Sequence, residues 1–446
     1  MTELLTPPGP QSPRSLNTTL MIQLARKITE ETEKLDQYFK SSGLPDLGFD
    51  VDSPGDLPKL PDDIQKSRLE ISSATKELEL LVRGPRETVR WSIWNYLDTV
   101  SLQILNSYGI PNLVPLDKPI ALTELQAKTT APISLVNLAR ILRHAITNKI
   151  FQEPMPGFIA HTAASKVLAQ DSNLQAWVGL NGEDFLPAGA HTLEAIRADP
   201  EATSLTRTGF NHAWGTVDKE PMFATFGKDP SRGERFAVAM ASLTGGEGYE
   251  VSYLVDNYDF SEVNDREGTL VDIGGSHGFV CVDLARKWSK MKFVVQDLPK
   301  TISSVPEPIC ADEGVAQRIS LQAHDFFTEQ PVKDADVYYF RWILHNLSSP
   351  YAVKILKNLV PALKPGARVI INDHCLREPG VENHWDEKIM RSMDLLMLTL
   401  LNAQERTEKE FEQLFTAADE RFVFKDRCYY ATYRTLPCVE LNHGPM

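Results

Sequence analysis

Residues 269–297, TLVDIGGSHGFVCVDLARKWSKMKFVVQD, decide the fold. The first five residues form a short apolar run that ends in glycines, VCVDLARKW returns at helical spacing, and MKFVVQD is a second apolar run. Strand, glycine turn, helix and strand in that order make the opening unit of a parallel sheet. Further strands are predicted in ADVYYFRWIL, GARVIINDHC and the terminal RFVFKDRCYYATYRTLP, separated by helices such as PYAVKILKNLVPAL. The expected fold class is therefore α/β over 263–446, with a doubly wound, mostly parallel sheet and an antiparallel edge. Such a sheet holds its ligand beyond the carboxyl ends of its strands.

Acidic residues stand at those ends. The LVDIGGSHG turn is neither a dinucleotide G-x-G-x-x-G nor a P-loop, which would need Lys-Ser/Thr. Asp272, beside Gly274 and Gly275, would repel a pyrophosphate and attract a cation. Asp297 ends the second strand, where a carboxylate can accept hydrogen bonds from both ribose hydroxyls. Asp325, in AHDFF after the next strand, could reach an adenine amino group. A nucleoside that carries a positive charge in place of phosphates describes S-adenosyl-L-methionine.

The second signal is Arg341-Trp342-Ile343-Leu344-His345-Asn346, directly after the strand DVYYF. His345 lies at a strand's carboxyl end, ahead of a helix that Ser349 can cap and Pro350 can open. That helix is expected to bury Val353, Leu356, Val360 and Leu363. Asp373 ends the following strand and could orient the His345 ring. Glu405 precedes a helix announced by the capping box of Thr407 and Glu410, and points into a loop. His374 is left structural, because it would alternate away from Asp373. No cluster has metal-ligand spacing, so no metal is expected.

The rest of the 446 residues divides into three segments. Residues 1–84 are an extension: 1–17 rich in Pro, Ser and Thr and without structure, 18–41 an amphipathic helix, and 43–64 a proline-rich linker. Residues 85–180 read as helices followed by a hairpin, a winged-helix-like domain. Its second helix, 132–147, carries Arg140, Arg143 and His144; DNA reading and packing or dimerisation are both open to that shape. Residues 181–262 form a helical connector dense in Trp, Phe and Met, suited to a pocket for a flat ring. Trp214, Phe223 and Met240 there, with Met393 and Met397 on one later helix face, are candidate substrate residues.

Composition limits the choices. With 42% hydrophobic residues the chain can build real cores, so wholesale disorder is excluded. A net charge of −14 disfavours nucleic acid as a partner, since phosphate needs a basic footprint. No apolar run reaches the roughly 18 residues of a transmembrane helix. Five scattered cysteines without a CxxC pair fit a reducing compartment, so the expected location is the cytoplasm.

LVDIGGSHG, VVQDLP, RWILHN, LKPGARVII and ERTEKEF together carry a resemblance that spans 85–436. The chain resembles the S-adenosylmethionine-dependent small-molecule O-methyltransferases related to plant caffeic acid, flavonoid and isoflavone O-methyltransferases. Within that family it is most like fungal members of secondary metabolism. The resemblance implies a homodimer, an aromatic small-molecule substrate, and methyl transfer to a phenolic or enolic hydroxyl, of a polyketide for example. It implies that Gly274 and Gly275 hold the methionine and ribose portions, Asp297 and Leu298 the ribose side, Asp325 and Phe326 the adenine, and that Arg341 lies near the cofactor. It assigns His345 as catalytic base, flanked by Asp373 and Glu405 where the plant pattern has two glutamates. Asn346 and Leu347 replace the usual Asp-Trp. Two other classes remain open at this point: a silent relative that acts as a regulator or scaffold, and a cofactor-dependent enzyme that methylates carbon or nitrogen or rearranges its substrate.

Overall fold

The computed structural model describes residues 19–244, 250–428 and 438–443. The reading of 1–17 as unstructured, and residues 429–437 of the terminal strand, lie outside the described residues. Contacts divide the chain into two compact units. The first holds residues up to 47, 56–95 and 383–385, and the second holds the remainder.

In the first unit the helices Leu20–Ser41 and Asp62–Arg83 pack on one another. Ser67 donates to Glu31 at 2.6 Å and Lys27 pairs with Glu70 across the two. The second helix begins at Asp62, behind Pro61, so the expected linker 43–64 is shorter than its composition suggested. Part of that linker, in the second unit, is strapped down: Ala163 N donates to Phe49 O at 3.0 Å, and Asp50 bridges Thr162.

The second unit contains a seven-stranded sheet. Its strands are β1 (Thr269–Ile273), β2 (Lys292–Asp297), β3 (Ile319–Ala323), β4 (Val337–Arg341), β5 (Arg368–Asn372), β6 (Phe422–Cys428) and β7 (Cys438–His443). In space they run β6-β7-β5-β4-β1-β2-β3. β1 to β5 are parallel, and β7 and β6 form the antiparallel edge. Leaving β1, the chain builds β2 and β3 on one side and then returns to place β4 and β5 on the other. The switch point therefore lies between β1 and β4, where the loops leave in opposite directions and open a crevice.

Alternation along the strands explains the two cores. Val271, Ile273, Tyr338, Phe340, Val369 and Ile371 face the helices Ser349–Leu359 and Glu408–Ala418. Leu270, Val337, Tyr339 and Ile370 face the helix Phe279–Lys287 and the segment around Phe260. Burial on both faces is why these strands read as nearly continuous apolar runs. Helix Ser349–Leu359 departs from its expected details. Ser348 holds the cap position without a capping bond and donates to Thr203 O at 2.8 Å. Of the residues expected to be buried, Leu356 and Leu363 are, while Val353 and Val360 are partly buried against the same core, and Ala352, Ile355 and Leu359 complete the buried stripe.

Ahead of the sheet lie the helices Leu122–Lys128 and Leu135–Thr147 and a three-stranded antiparallel sheet of Ile120–Ala121, Phe158–Ala160 and Gln152–Met155. Ser134 caps the second helix by accepting from Asn137 N, and Leu125, Leu138, Leu142 and Ile159 form the core. On the surface of that helix the Arg143 guanidinium is held by Glu153 of the hairpin at 2.8 and 2.9 Å.

Gly274 has a φ of +78°, and a Cβ there would stand 2.5 Å from Ile343 Cδ1. Gly274→Ala is expected to destabilise the protein by the cost of an L residue in a disfavoured conformation, about 1–3 kcal/mol. Gly189→Ala, on an exposed helical turn with open space around it, should leave the thermal midpoint unchanged or raise it. Equal midpoints for the two variants would show that the turn does not need its glycine.

Candidate active site

The glycine turn is pinned to the end of β2. Gly274 N and Gly275 N both donate to Gln296 O, at 2.8 and 3.0 Å. Ser276 takes a φ of +51°, and its N–H donates to Asp297 Oδ2 at 2.9 Å. Asp297 Oδ1 accepts from Leu298 N at 2.7 Å. Each of these oxygens has a further lone pair for another donor. His324 N donates to Asp297 O at 2.9 Å and so joins the end of β3 to that of β2. Asp325, exposed, then caps the next turn through Phe327 N at 2.9 Å. The Phe326 ring edge lies 3.9 Å from where a Gly274 Cβ would be, beside Ile343.

Asp272 lies beneath the turn and is buried. Its Oδ2 is 2.5 Å from the position of a Gly275 Cβ, and Cys281 Sγ donates to it at 3.5 Å. Burial pushes the Asp272 carboxyl up to about 7, against the pull of Cys281 and Arg341. An acid in that state gains from a neighbouring cation, which restores its charge.

His345 stands on the other side of the switch point. β4 ends at Arg341, and Trp342 follows with a φ of +53°. Asn346 Nδ2 donates to Trp342 O at 2.7 Å and braces that bend. His345 then sits in a single 3-10 turn, Leu344–Asn346, and is buried. Its Nδ1–H donates to Glu405 Oε1 at 2.8 Å. With Nδ1 engaged by a carboxylate, Nε2 is the nitrogen that can accept a proton. Burial alone would depress the imidazole, but Glu405 and Asp373 outweigh it and hold its pKa above the usual histidine value. Glu405 is held below its ordinary value: the imidazole charge beside it overcomes the effect of its burial.

Three sequence readings are corrected here. Glu405, which the resemblance set beside His345, stands in a loop but does not point away from the core: it is 2% exposed and is the hydrogen-bond partner of the ring. Asp373 does not orient the ring directly. Its carboxylate accepts from the backbone of the histidine turn, His345 N at 2.9 Å and Ile343 N at 3.3 Å, and burial raises its pKa. His374 is also part of the site: its ring stacks on Trp342 at 6.3 Å and meets His345 edge-on at 6.3 Å. Sequence reasoning missed Trp342 and Arg406 as well. Arg406 sits beside Glu405 in a segment read as a helix approach. Its guanidinium is wholly buried and donates to Leu344 O and Leu347 O at 2.7 and 2.6 Å.

Among the candidate substrate residues, Met240, Met393 and Met397 gather with Phe210, Phe226 and Leu400 in one apolar cluster. Trp214 and Phe223 are more exposed. The Arg232 guanidinium lies 4.0 Å over the Trp214 ring and is anchored by buried Asp184, and Phe223 meets Phe236 edge-on at 5.7 Å. Among the described residues no three His, Cys, Asp or Glu side chains group as metal ligands, and no helix is long and apolar enough to cross a membrane.

A family model for the O-methyltransferase domain matches residues 194–420. The chain belongs to this O-methyltransferase family. It is an S-adenosylmethionine-dependent methyltransferase, and its relatives include enzymes of fungal secondary metabolism. The chlorophenol O-methyltransferase of Trichoderma longibrachiatum is 64% identical over 91% of this chain and 86% of its own length. The grayanic acid biosynthesis cluster O-methyltransferase of Cladonia grayi is 34% identical over 91% of this chain and 84% of its own. A crystal structure of OxaC with SAH and oxaline superposes with a TM-score of 0.73 at 22% identity, covering 95% of this chain and all of that one. That likeness speaks for the fold.

The methyl donor can be tested against the residues present. The crevice offers Asp297 with spare acceptor capacity for hydroxyls, a Phe326–Ile343 apolar wall beside Gly274, and the buried acid Asp272 below. This donor set fits a cationic nucleoside.

Glu405→Gln removes the charge that lifts His345. In a histidine-labelled sample followed by NMR, the His345 titration should move to lower pH in that variant. A titration that stays in place would show that Glu405 does not set the imidazole's charge.

Proposed function

We propose that the enzyme methylates the hydroxyl of small phenols, halogenated phenols included, with His345 as general base. The observation that carries this is the 2.8 Å bond from His345 Nδ1 to buried Glu405, which leaves Nε2 as a basic nitrogen at the switch point of the sheet. The name of the 64% identical relative supports the phenolic acceptor. In this reading Asp297 and Leu298 hold the ribose side of the cofactor, Asp325 and Phe326 the adenine, Gly274 and Gly275 the methionine portion, and Asp272 with Arg341 lies beneath it. Bound S-adenosylmethionine supplies an electrophilic methyl group on a sulfonium sulfur.

His345 Nε2 takes the phenolic proton as the oxygen becomes the nucleophile, a transfer that typically contributes about 10²- to 10⁴-fold. Glu405 stabilises the imidazolium that forms. Asp373 and Asn346 hold the turn so that the ring does not have to reorganise. Met240, Met393 and Met397 offer adaptable apolar contacts to a ring, with Trp214 and Phe223 toward the outside. A cytosolic setting suits the free thiols of Cys281, Cys310 and Cys375.

Two copies of the chain associate in this reading. Val89, Trp91, Ile93 and Trp94 expose a cluster of large apolar side chains within one short stretch, and Trp91 and Trp94 meet edge-on at 5.0 Å. A surface of that kind marks an interface. Light scattering should give the mass of a dimer, and Ile93→Glu with Trp94→Glu should give a monomer. A monomeric parent protein would remove the proposal.

The chemistry is tested with a series of phenols of graded acidity and labelled cofactor. Label is expected on oxygen. His345→Ala should lose at least about a hundredfold in turnover on weakly acidic phenols, and much less on polychlorinated phenols that are already ionised at the assay pH. An equal loss across the series would point to a shape role for His345, and label on carbon or nitrogen would sink the O-acceptor. Asp297→Ala should weaken cofactor binding in calorimetry, and unchanged affinity would refute its ribose role.

A further inference from the structure

Arg406 is among the largest wholly buried side chains in the described structure, and it lies within the histidine's surroundings. It occupies the short strand Arg406–Thr407, which pairs in parallel with Cys375–Leu376 just after Asp373. Its two terminal nitrogens donate to Leu344 O and Leu347 O, the carbonyls on either side of His345. From the amide side, Asp373 accepts from Ile343 N and His345 N. The turn that carries His345 is thus gripped from both ends, by an anion on its N–H groups and a cation on its carbonyls.

The same side chains set the charge of a dry site. His345 is faced by Glu405 through its hydrogen bond, by Asp373 behind its backbone, by Arg406, and by the His374 ring. Arg406 in turn feels Asp373, Glu405, Glu410 and Asp394. With the imidazole neutral and both carboxylates ionised, Asp373, Glu405 and Arg406 sum to one net negative charge around it. Proton uptake by His345 brings that to zero. Without Arg406 the two carboxylates would face the imidazole uncompensated, and it would hold its proton more tightly still.

We propose that Arg406 is a positioning residue of the reaction: its fork fixes the His345 turn, and its buried charge offsets the two carboxylates that face the imidazole. This rests on the reading of His345 as the base, and makes Arg406 as necessary to that role as the two carboxylates.

Arg406→Lys and Arg406→Met separate the two jobs. Lysine keeps the charge and loses the fork, so turnover should fall, on the scale of about tenfold to a hundredfold for a displaced catalytic group, with the acid limb of the pH profile in place. Methionine loses both. Its acid limb should move to higher pH, so that its deficit against the parent is larger at pH 6 than at pH 9. Adding Asp373→Asn to Arg406→Met restores the charge count and should bring the limb back.

An acid limb unmoved in Arg406→Met, with only a lower thermal midpoint, would overturn the proposal in favour of packing. If Arg406→Met does not fold, recovery of folding in the double variant supports the charge balance, and its failure to fold as well overturns it. NMR titration of His345 in the same proteins reads the charge effect without turnover. The inference about Arg406 and the assignment of the base can therefore fail separately.

Discussion

Burying a histidine with two carboxylates is the constraint that the catalytic half of this protein is arranged around. An isolated charge in a dry interior is costly unless it is paired and hydrogen-bonded. Glu405 is paired with the imidazole, Asp373 is bound by two amides, and Arg406 supplies the compensating cation while both of its terminal nitrogens donate to carbonyls. Each charge therefore has both an electrostatic partner and a hydrogen-bond partner. The arrangement is rigid because those partners are largely backbone groups of the turn that carries His345. In the proposed role as base, a histidine held in this way is ready in the ground state, the kind of pre-organisation that lowers a proton-transfer barrier.

The sheet makes that cluster possible. Parallel strands deliver their carboxyl ends to one edge, and the return of the chain from β3 to β4 opens the crevice there. On one side of it the glycine turn and the acids of β1, β2 and β3 suit the nucleoside. On the other, β4 and β5 deliver His345 and Asp373. Glu405 and Arg406 arrive separately, on a short strand that pairs with the continuation of β5. In the proposed reading the methyl donor and the base are held by opposite halves of one sheet.

Much of this was legible in the sequence. Apolar runs buried on both faces, ended by glycines or acids and separated by helical periods, are local patterns, and the strands fall where those patterns lie. The Gly274 turn, Asp297 and His345 were singled out because each stands at or just beyond the end of such a run. The capping box of Thr407 and Glu410 was read correctly for the same reason. Glu405 was set beside the histidine only by resemblance, its burial was not foreseen, and Arg406 was missed, because two charged residues ahead of a capped helix look the same in sequence whether they face solvent or a buried imidazole. His374 was misjudged because the strand stops at Asn372, so the alternation that would have turned it away no longer applies.

The sequence by itself determined the class of fold, the family, and the acids and histidine at the strand ends. These depend on residue periodicity and on motifs within short spans, which the chain carries wherever it folds. The tertiary structure decided which carboxylate meets the ring, that Asp373 serves the backbone, and that an arginine closes the charge balance. Those pairings join residues 28 to 62 positions apart, and burial, which gives each charge its weight, exists only once the strands and loops have closed around them.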